Sequence, residues 1–203
     1  MLRDVGAWDA YNVTEDADLG MRLARFGYTT QVIPSTTYEE APGHLGPWLK
    51  QRTRWFKGWI QTWLVHMRRP VSLLRELGLG NFIAFQLIVG GAVLAALVHG
   101  AFVLALAFAA ATGHLTGFPE LHASALMAGY LVSAALGLMG LARRGLLRDG
   151  WIVILIPIYW VLLSLAAWRA LYQFATDPHR WEKTEHGLAR TSRLAEGIGS
   201  GRR

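Results

Sequence analysis

The sequence contains no cysteine, and charged residues are scarce in it. Without cysteine, disulfide bonds and thiol chemistry are excluded over all 203 residues. Charged residues make up 17% of the chain, whereas average soluble domains carry about 25%. The shortage is concentrated in two long segments, 82–142 and 151–174, which are almost free of charge. Long uncharged apolar segments are typical of membrane-spanning helices, so we expect a membrane protein.

The charges that are present are mainly positive, and they lie beside the apolar segments. The formal net charge is +6, and Lys and Arg cluster in 50–75, 143–148 and 180–203. Basic clusters next to apolar segments are typical of the cytoplasmic flanks of membrane helices. A nucleic-acid-binding surface needs a basic stripe of its own, and none can be separated from the apolar segments. We therefore expect a lipid bilayer as a partner and no nucleic acid.

The first 43 residues predict a piece of soluble α/β structure. Apolar side chains recur there at helical spacing, at Leu19, Leu23 and Phe26. This spacing predicts a short amphipathic helix over 16–26, capped by Thr14 or Asp16 and ended by Gly27. Residues 29–33 then predict a β-strand. Because about forty residues cannot bury a core alone, we expect this piece to pack on structure outside it.

The run Thr14-Glu15-Asp16 has two interpretations. The first is structural, because acidic side chains at a helix start complement the helix dipole and a hydroxyl can cap it. The second is chemical, because a carboxylate that is held rigidly at a helix start can accept a proton as a general base. The three residues taken alone favour the structural interpretation.

Residues 45–68 predict an amphipathic helix with Pro47 in its first turn. Its four tryptophans fall within about 80° of one another: Trp48, Trp55, Trp59 and Trp63. Its polar side lies opposite: Lys50, Arg54, Lys57 and Gln61. Tryptophan favours the membrane interface and basic side chains favour its headgroups. We therefore expect an interfacial helix and linker over 44–80, with the polar side toward the headgroups.

Three side chains of this helix, Gln51, Arg54 and Trp55, lie within about 100° of arc and can face one site. The amide of Gln51 can hydrogen-bond hydroxyl groups, the guanidinium of Arg54 suits a diphosphate, and the ring of Trp55 offers a flat apolar face. Arg52 lies on the tryptophan side of the helix. A basic amphipathic anchor without chemistry is the alternative interpretation.

The combination of Thr14-Glu15-Asp16, Gln51-Arg52-Thr53-Arg54-Trp55 and the apolar segments resembles membrane-bound family 2 glycosyltransferases. This family holds the cellulose, chitin and hyaluronan synthases. The resemblance implies an α/β fragment of a GT-A-type glycosyltransferase domain, over 1–43, followed by an α-helical membrane region. It also implies transfer of a sugar, with inversion, from a nucleoside-diphosphate sugar to a glycan or lipid-linked acceptor. The reaction would take place at the cytoplasmic face of the inner membrane.

The resemblance further assigns roles to particular residues. It implies that Asp16 is the general base, with Glu15 and Thr14 in the same catalytic motif. The implied substrate-binding residues are Gln51, Arg52, Arg54 and Trp55. The complete enzyme would use Mg²⁺ or Mn²⁺, with ligands mostly outside this chain. Asp16-Ala17-Asp18 has the letters of the family's metal motif but belongs to the predicted helix start, so no metal ligand is assigned here.

The apolar region over 81–175 predicts two spans, over about 82–111 and 123–142. The basic cluster 143–148 after the second span places both ends of this hairpin on the cytoplasmic side. A third apolar helix, over 151–174, has two interpretations. We favour a cytoplasmic-side or re-entrant helix, because a third span would put the basic tail outside the cell; a full span is the alternative.

The tail over 176–203 is predicted to be basic and cytoplasmic. Hyaluronan and chitin synthases carry a Trp- and Thr-containing run on a loop that closes over the donor. This chain resembles that run in Trp181, Lys183 and Thr184 only. The resemblance therefore implies a gating-type loop here, although the spacing and order of its residues differ from the family's.

Two other functions are compatible with the sequence. One is a non-enzymatic scaffold or transporter subunit with a basic interfacial helix. The other is a transferase that makes a lipid-linked monosaccharide rather than a polymer.

Because the donor-binding half of the family is not found in this sequence, we expect the purified 203-residue chain alone to turn over no sugar nucleotide. The measurement is release of nucleoside diphosphate from a panel of sugar nucleotides in detergent. Measurable release above a boiled control would show that the donor binds within these residues.

Overall fold

The computed structural model describes residues 2–9, 12–33, 35, 37, 39, 41–113, 119–178, 180 and 182. Every regular element in this part of the chain is helical: α1 (Glu15–Arg25), α2 (Leu45–His66), α3 (Pro70–Phe85), a π-helical turn (Gln86–Gly90), α4 (Gly91–Thr112), α5 (Pro119–Arg143), a 3₁₀ segment (Leu147–Leu155) and α6 (Ile156–Thr176). The chain divides into two compact units. Unit 1 holds residues 1–91 and 169–203, and unit 2 holds residues 92–168.

The predicted α/β character of residues 1–43 is wrong. Residues 29–33 form no strand, and no strand occurs in the described part of the chain. Val32 is 99% exposed and Ile33 is 71% exposed. A strand is stabilised by main-chain hydrogen bonds to a neighbouring strand, and none of the described segments supplies one. Val32 and Ile33 are β-branched and favour strands, but no described segment pairs with them to form one.

Helix α1 forms as the sequence predicts. Glu15, Asp16 and Asp18 lie in its first turn, where acids complement the dipole. Gly27 follows the helix with φ +79°, the left-handed conformation that ends a helix most easily at glycine. Arg25 Nε lies 2.6 Å from Glu76 Oε2 of α3, so an ion pair joins the two helices.

The apolar core of unit 1 lies between α1, α2 and α3. Leu73, Leu77 and Phe85 are its buried members. Partly buried side chains of α1 and α2 pack against them: Met21, Ala24, Trp63 and Met67. This core fixes α1 next to α2, which is the arrangement on which the candidate site depends.

Helix α2 begins at Leu45, two residues before Pro47, as predicted. The predicted orientation of its polar side is wrong for Lys57 and Gln61. Lys57 is only 1% exposed and Gln61 is 9% exposed, so protein rather than headgroups covers them. The segments that cover them come from both sides of α2 in sequence, near residue 13 and between residues 177 and 180.

A π-helical turn joins α3 to α4 and is fixed to α2 through Gln86. The indole Nε1 of Trp63 donates to Gln86 Oε1 over 2.9 Å, and the Gln86 amide lies 3.2 Å from the sulfur of Met67. Gly90 lies against the same indole, where a Cβ would come within 2.7 Å of its nitrogen. These contacts anchor α2 to the start of the long apolar helical run.

Three helical runs are long and apolar enough to cross a membrane: Pro70–Thr112, Glu120–Arg143 and Leu147–Thr176. The first two contain the predicted spans over 82–111 and 123–142. The third contains the predicted apolar helix over 151–174, and its length and composition permit a crossing. Its placement as a span or as a re-entrant helix stays a prediction.

The described residues that follow α6 are tied to that helix by a buried carboxylate. The guanidinium of Arg169 donates to both oxygens of Glu182 over 2.6 Å each, and Gln173 Nε2 donates to one of them over 3.2 Å. The Glu182 side chain is 7% exposed. Burial alone would raise the pKa of Glu182, but the hydrogen bond from Arg169 acts more strongly and holds that pKa below its ordinary range.

We predict that Glu182→Gln loosens residues 177–182. The change removes a charge-assisted pair, which costs about 1–3 kcal/mol, so amide exchange at Asp177 and Arg180 should rise by about 5- to 150-fold. Hydrogen–deuterium exchange by mass spectrometry measures this directly. Glu39→Gln, at an exposed position, is the control. Unchanged exchange in the Glu182 variant would show that the pair does not hold the segment.

Candidate functional site

The acidic run lies at the exposed start of α1. Thr14 is the N-cap residue, but its side chain makes no capping hydrogen bond. Its hydroxyl donates instead to Asn12 Oδ1 over 3.4 Å, and its main-chain N–H donates to the same oxygen over 3.0 Å. The Asp16 side chain is exposed, and its Oδ1 accepts the N–H of Ala17 over 2.8 Å. The carboxylate of Asp16 is therefore fixed to a helix start and open to solvent.

Thr14 packs directly on α2 at Gly58. A Cβ at Gly58 would overlap the Thr14 side chain, so only glycine permits this approach. Gly58 and Gln51 differ by about 20° around the helix and Gly58 and Arg54 by about 40°. The three residues therefore share one face of α2. Along the axis, Arg54 lies about 6 Å and Gln51 about 10.5 Å before Gly58.

The four predicted substrate-binding residues of α2 are half-buried: Gln51, Arg52, Arg54 and Trp55. The guanidinium of Arg52 lies 4.2 Å from the ring centre of Trp55 and 5.7 Å from that of Trp48. Such cation–π contacts hold a cation on an aromatic face. Arg52 thus lies on the tryptophan side, as the helical spacing predicts, and it covers one face of Trp55.

Five polar side chains of α2 are buried, which was not foreseen from the sequence: Thr53, Lys57, Gln61, Thr62 and His66. Lys57 Nζ donates to the main-chain carbonyls of Asp177 and Arg180. Burial lowers the pKa of Lys57 below its ordinary range, while the negative charges of Asp177 and Glu182 oppose that shift. The signal in the sequence was the spacing of Lys57 and Gln61, a lysine and an amide four residues apart. That spacing places them on one side of the helix but does not show which segments cover them.

Gln61 connects two segments that are far apart in sequence. Its Oε1 accepts the main-chain N–H of Val13 over 3.3 Å, and its Nε2 donates to the carbonyl of Pro178 over 3.2 Å. The next residue, Thr62, accepts a hydrogen bond from Asn12 Nδ2 over 3.0 Å. The chain just before the acidic run and the chain after α6 are therefore both fixed to the same turn of α2.

Asp18 has a structural role in α1. Its Oδ1 lies 3.0 Å from Nε2 of His66, and its Oδ2 lies 2.9 Å from Nε of Arg22. Burial alone would raise the pKa of Asp18, but the hydrogen bond from His66 and the charge of Arg22 outweigh it and lower that pKa. Because both oxygens of Asp18 are committed to these partners, Asp16-Ala17-Asp18 does not fit a divalent metal ion.

The His66 ring has a defined hydrogen-bonding pattern. Arg25 Nη1 can only donate to His66 Nδ1, over 3.1 Å, so the ring proton lies on Nε2 and points to the Asp18 carboxylate. Among the described residues, no group of three or more His, Cys, Asp or Glu side chains is placed to hold a metal.

A cavity of about 540 Å³ lies beside the second half of α2, within unit 1. Its lining includes Asn12, Gln61, Leu64, Arg68 and Phe174. Its volume is in the range of small-molecule sites, but none of the predicted site residues that the structure describes lines it. The predicted gating residues Trp181, Lys183 and Thr184 lie outside the described residues, so their role stays a prediction.

Comparisons with known proteins give one broad match and one local match. A family model described as "Glycosyl transferase family group 2" matches residues 1–176. The "Probable glycosyltransferase YdaM" of Bacillus subtilis (strain 168) is 34% identical over 59 residues. That alignment covers 29% of this chain and 14% of YdaM, so the chain matches a small part of that protein's length. No solved structure matches the chain.

The contact between Thr14 and Gly58 gives a prediction about stability. Gly58→Ala should destabilise unit 1 by about 1–3 kcal/mol, because the new methyl group overlaps Thr14. Gly20→Ala, in the interior of α1, should be neutral or stabilise by up to about 1 kcal/mol, because its Cβ meets no atom within 4 Å. Tryptophan-monitored unfolding in detergent compares the two. A gain in stability for both variants would contradict the contact.

Proposed function

The chain belongs to glycosyl transferase family group 2, and from this premise we propose that it acts in an inverting sugar transfer. The membership confirms the resemblance noted in the sequence. The donor that we propose is a nucleoside-diphosphate sugar, and the acceptor is a glycan or a lipid-linked saccharide. The three apolar helical runs support a place in the membrane, and we propose that the reaction occurs at its cytoplasmic face.

In this proposal Asp16 is the general base. A hydroxyl that attacks an anomeric carbon loses its proton as the new bond forms, and a carboxylate within hydrogen-bond reach can accept it. The Asp16 carboxylate is exposed, and its main-chain position is set by the rigid start of α1. Asp18 cannot serve in its place, because it is buried in contacts with His66 and Arg22.

The residues of α2 would bind the two substrates. The guanidinium of Arg54 would stabilise the negative charge that develops on the departing diphosphate. The amide of Gln51 would hydrogen-bond a sugar hydroxyl. Because Arg52 covers one face of Trp55, a sugar ring would have to stack on the opposite face of that indole.

The observation that carries this proposal is the packing of Thr14 on Gly58. It brings the acidic run onto the face of α2 that also presents Gln51 and Arg54, one to two turns away. The bonds from Asn12 to Thr62 and from Val13 to Gln61 fix the approach of the chain to that run. Such rigid positioning is what a base and a leaving-group cation need to act on one substrate pair.

We predict that Asp16→Asn in the full-length protein lowers transfer by about 10²-fold or more, because the amide cannot accept the proton. The asparagine oxygen can still accept the N–H of Ala17, so the helix start should be preserved. Donor affinity should change little. The measurements are initial transfer rates with a radiolabelled sugar nucleotide and donor binding by calorimetry.

Asp149→Asn, at an exposed position in unit 2, is the matched control and should transfer at the normal rate. If the Asp16 variant keeps more than about a tenth of the normal rate, which is above the range for a lost general base, Asp16 is not the base. If it loses donor binding together with transfer, its role is in binding and not in proton transfer.

A further inference from the structure

Unit 2 contains a cavity of about 220 Å³ that the proposed reaction does not use. It lies between α4, α5 and α6, three helices that belong to the apolar helical runs. Carbon atoms make almost all of its wall, chiefly those of Val98, Phe102, Leu126, Tyr130 and Trp160. The cavity exceeds the apolar cavity of about 150 Å³ that admits a benzene molecule.

The polar side chains His99 and Tyr130 of the wall are already paired. His99 Nε2 lies 2.7 Å from the hydroxyl of Tyr130, and its Nδ1 lies 3.3 Å from the hydroxyl of Ser164. A sugar would need several hydrogen-bond partners in place of those that water gives it. The described wall, which is almost wholly carbon, offers a sugar few such partners, whereas an apolar occupant needs none.

Glycine keeps the cavity open on the side of α5. A Cβ built at Gly129 meets no atom within 4 Å, although Gly129 lines the cavity. Ala95 and Ala125, also in the wall, are the smallest side chains after glycine. Larger residues at these positions would fill the space, so the volume follows directly from the sequence of the helices.

We propose that this cavity binds one hydrocarbon chain of a bilayer lipid. The inference rests on the membrane placement within the proposed function. Within the membrane, an apolar cavity faces lipid hydrocarbon rather than water. If the cavity were empty, the side chains that line it would lose dispersion contacts. The chain can come from two sources, the acyl chain of a glycerolipid or the isoprenoid chain of a lipid-linked acceptor.

The test uses the full-length protein in vesicles of phosphatidylcholine and two photoactivatable lipids, each in a separate arm. One lipid carries a diazirine in an acyl chain of phosphatidylglycerol, and the other carries it in the chain of a polyisoprenyl phosphate. After illumination, mass spectrometry locates the labelled residues. The variant is Gly129→Leu, which adds a branched apolar side chain at a cavity-lining position where a Cβ meets no atom within 4 Å.

Gly140→Leu is the matched control. Gly140 also lies in α5, its Cβ also meets no atom within 4 Å, and it points about 20° from Gly129, three turns further along the helix. Labelling of Val98, Phe102 and Trp160 should fall about tenfold or more in the Gly129 variant, because several methylene contacts are lost. It should not change in the Gly140 variant. The arm with stronger labelling identifies the source of the chain.

Equal labelling of the cavity residues in both variants would overturn the inference. So would labelling of outward-facing Leu131 and Leu136, which are 62% and 64% exposed, with none in the cavity. Absence of label from both sets of residues would instead show that the membrane placement is wrong. The failure of the cavity site and the failure of the proposed placement are therefore distinguishable.

Discussion

Lys57 is 1% exposed in the middle of α2, and its ammonium donates to the carbonyls of Asp177 and Arg180. A buried ammonium is tolerable only if hydrogen bonds replace its hydration. The chain after α6 supplies those bonds, with Glu182 nearby as a negative charge held by Arg169. One turn later, Gln61 binds that same segment and the chain before α1. The buried side chains of Lys57 and Gln61 therefore determine where both segments lie.

The two sides of α2 have different surroundings. Lys57 and Gln61 are packed in protein, whereas on the tryptophan side Arg52 lies on Trp55 and Trp63 donates to Gln86. The packing of Thr14 on Gly58 brings the acidic run onto the face that bears Gln51 and Arg54. We propose that sugar transfer uses this junction, where segments distant in sequence are fixed by the buried side chains of Lys57 and Gln61, which bond to their main-chain atoms.

The sequence predicted the elements whose signals are local. The spacing of apolar residues and the helix-end signals predicted α1, its end at Gly27 and the start of α2. Composition predicted the apolar helices. The prediction of a strand over 29–33 was wrong because a strand needs a neighbouring strand to pair with, and residue propensity does not show whether one is present. The burial of Lys57 was missed because helical spacing shows which residues share a face, not what covers that face. Here the cover comes from a segment 120 residues later in the chain.

We propose that Asp16, Gln51 and Trp55 face one acceptor sugar. The most direct test is an experimental structure of the full-length protein with nucleoside diphosphate and acceptor bound, in which the distance from the Asp16 carboxylate to the acceptor hydroxyl is measured. We expect about 2.6–3.2 Å, directly or through one water, with Gln51 and Trp55 in contact with the same sugar. An acceptor bound elsewhere, with the Asp16 carboxylate turned away from it, would contradict this assignment of Asp16.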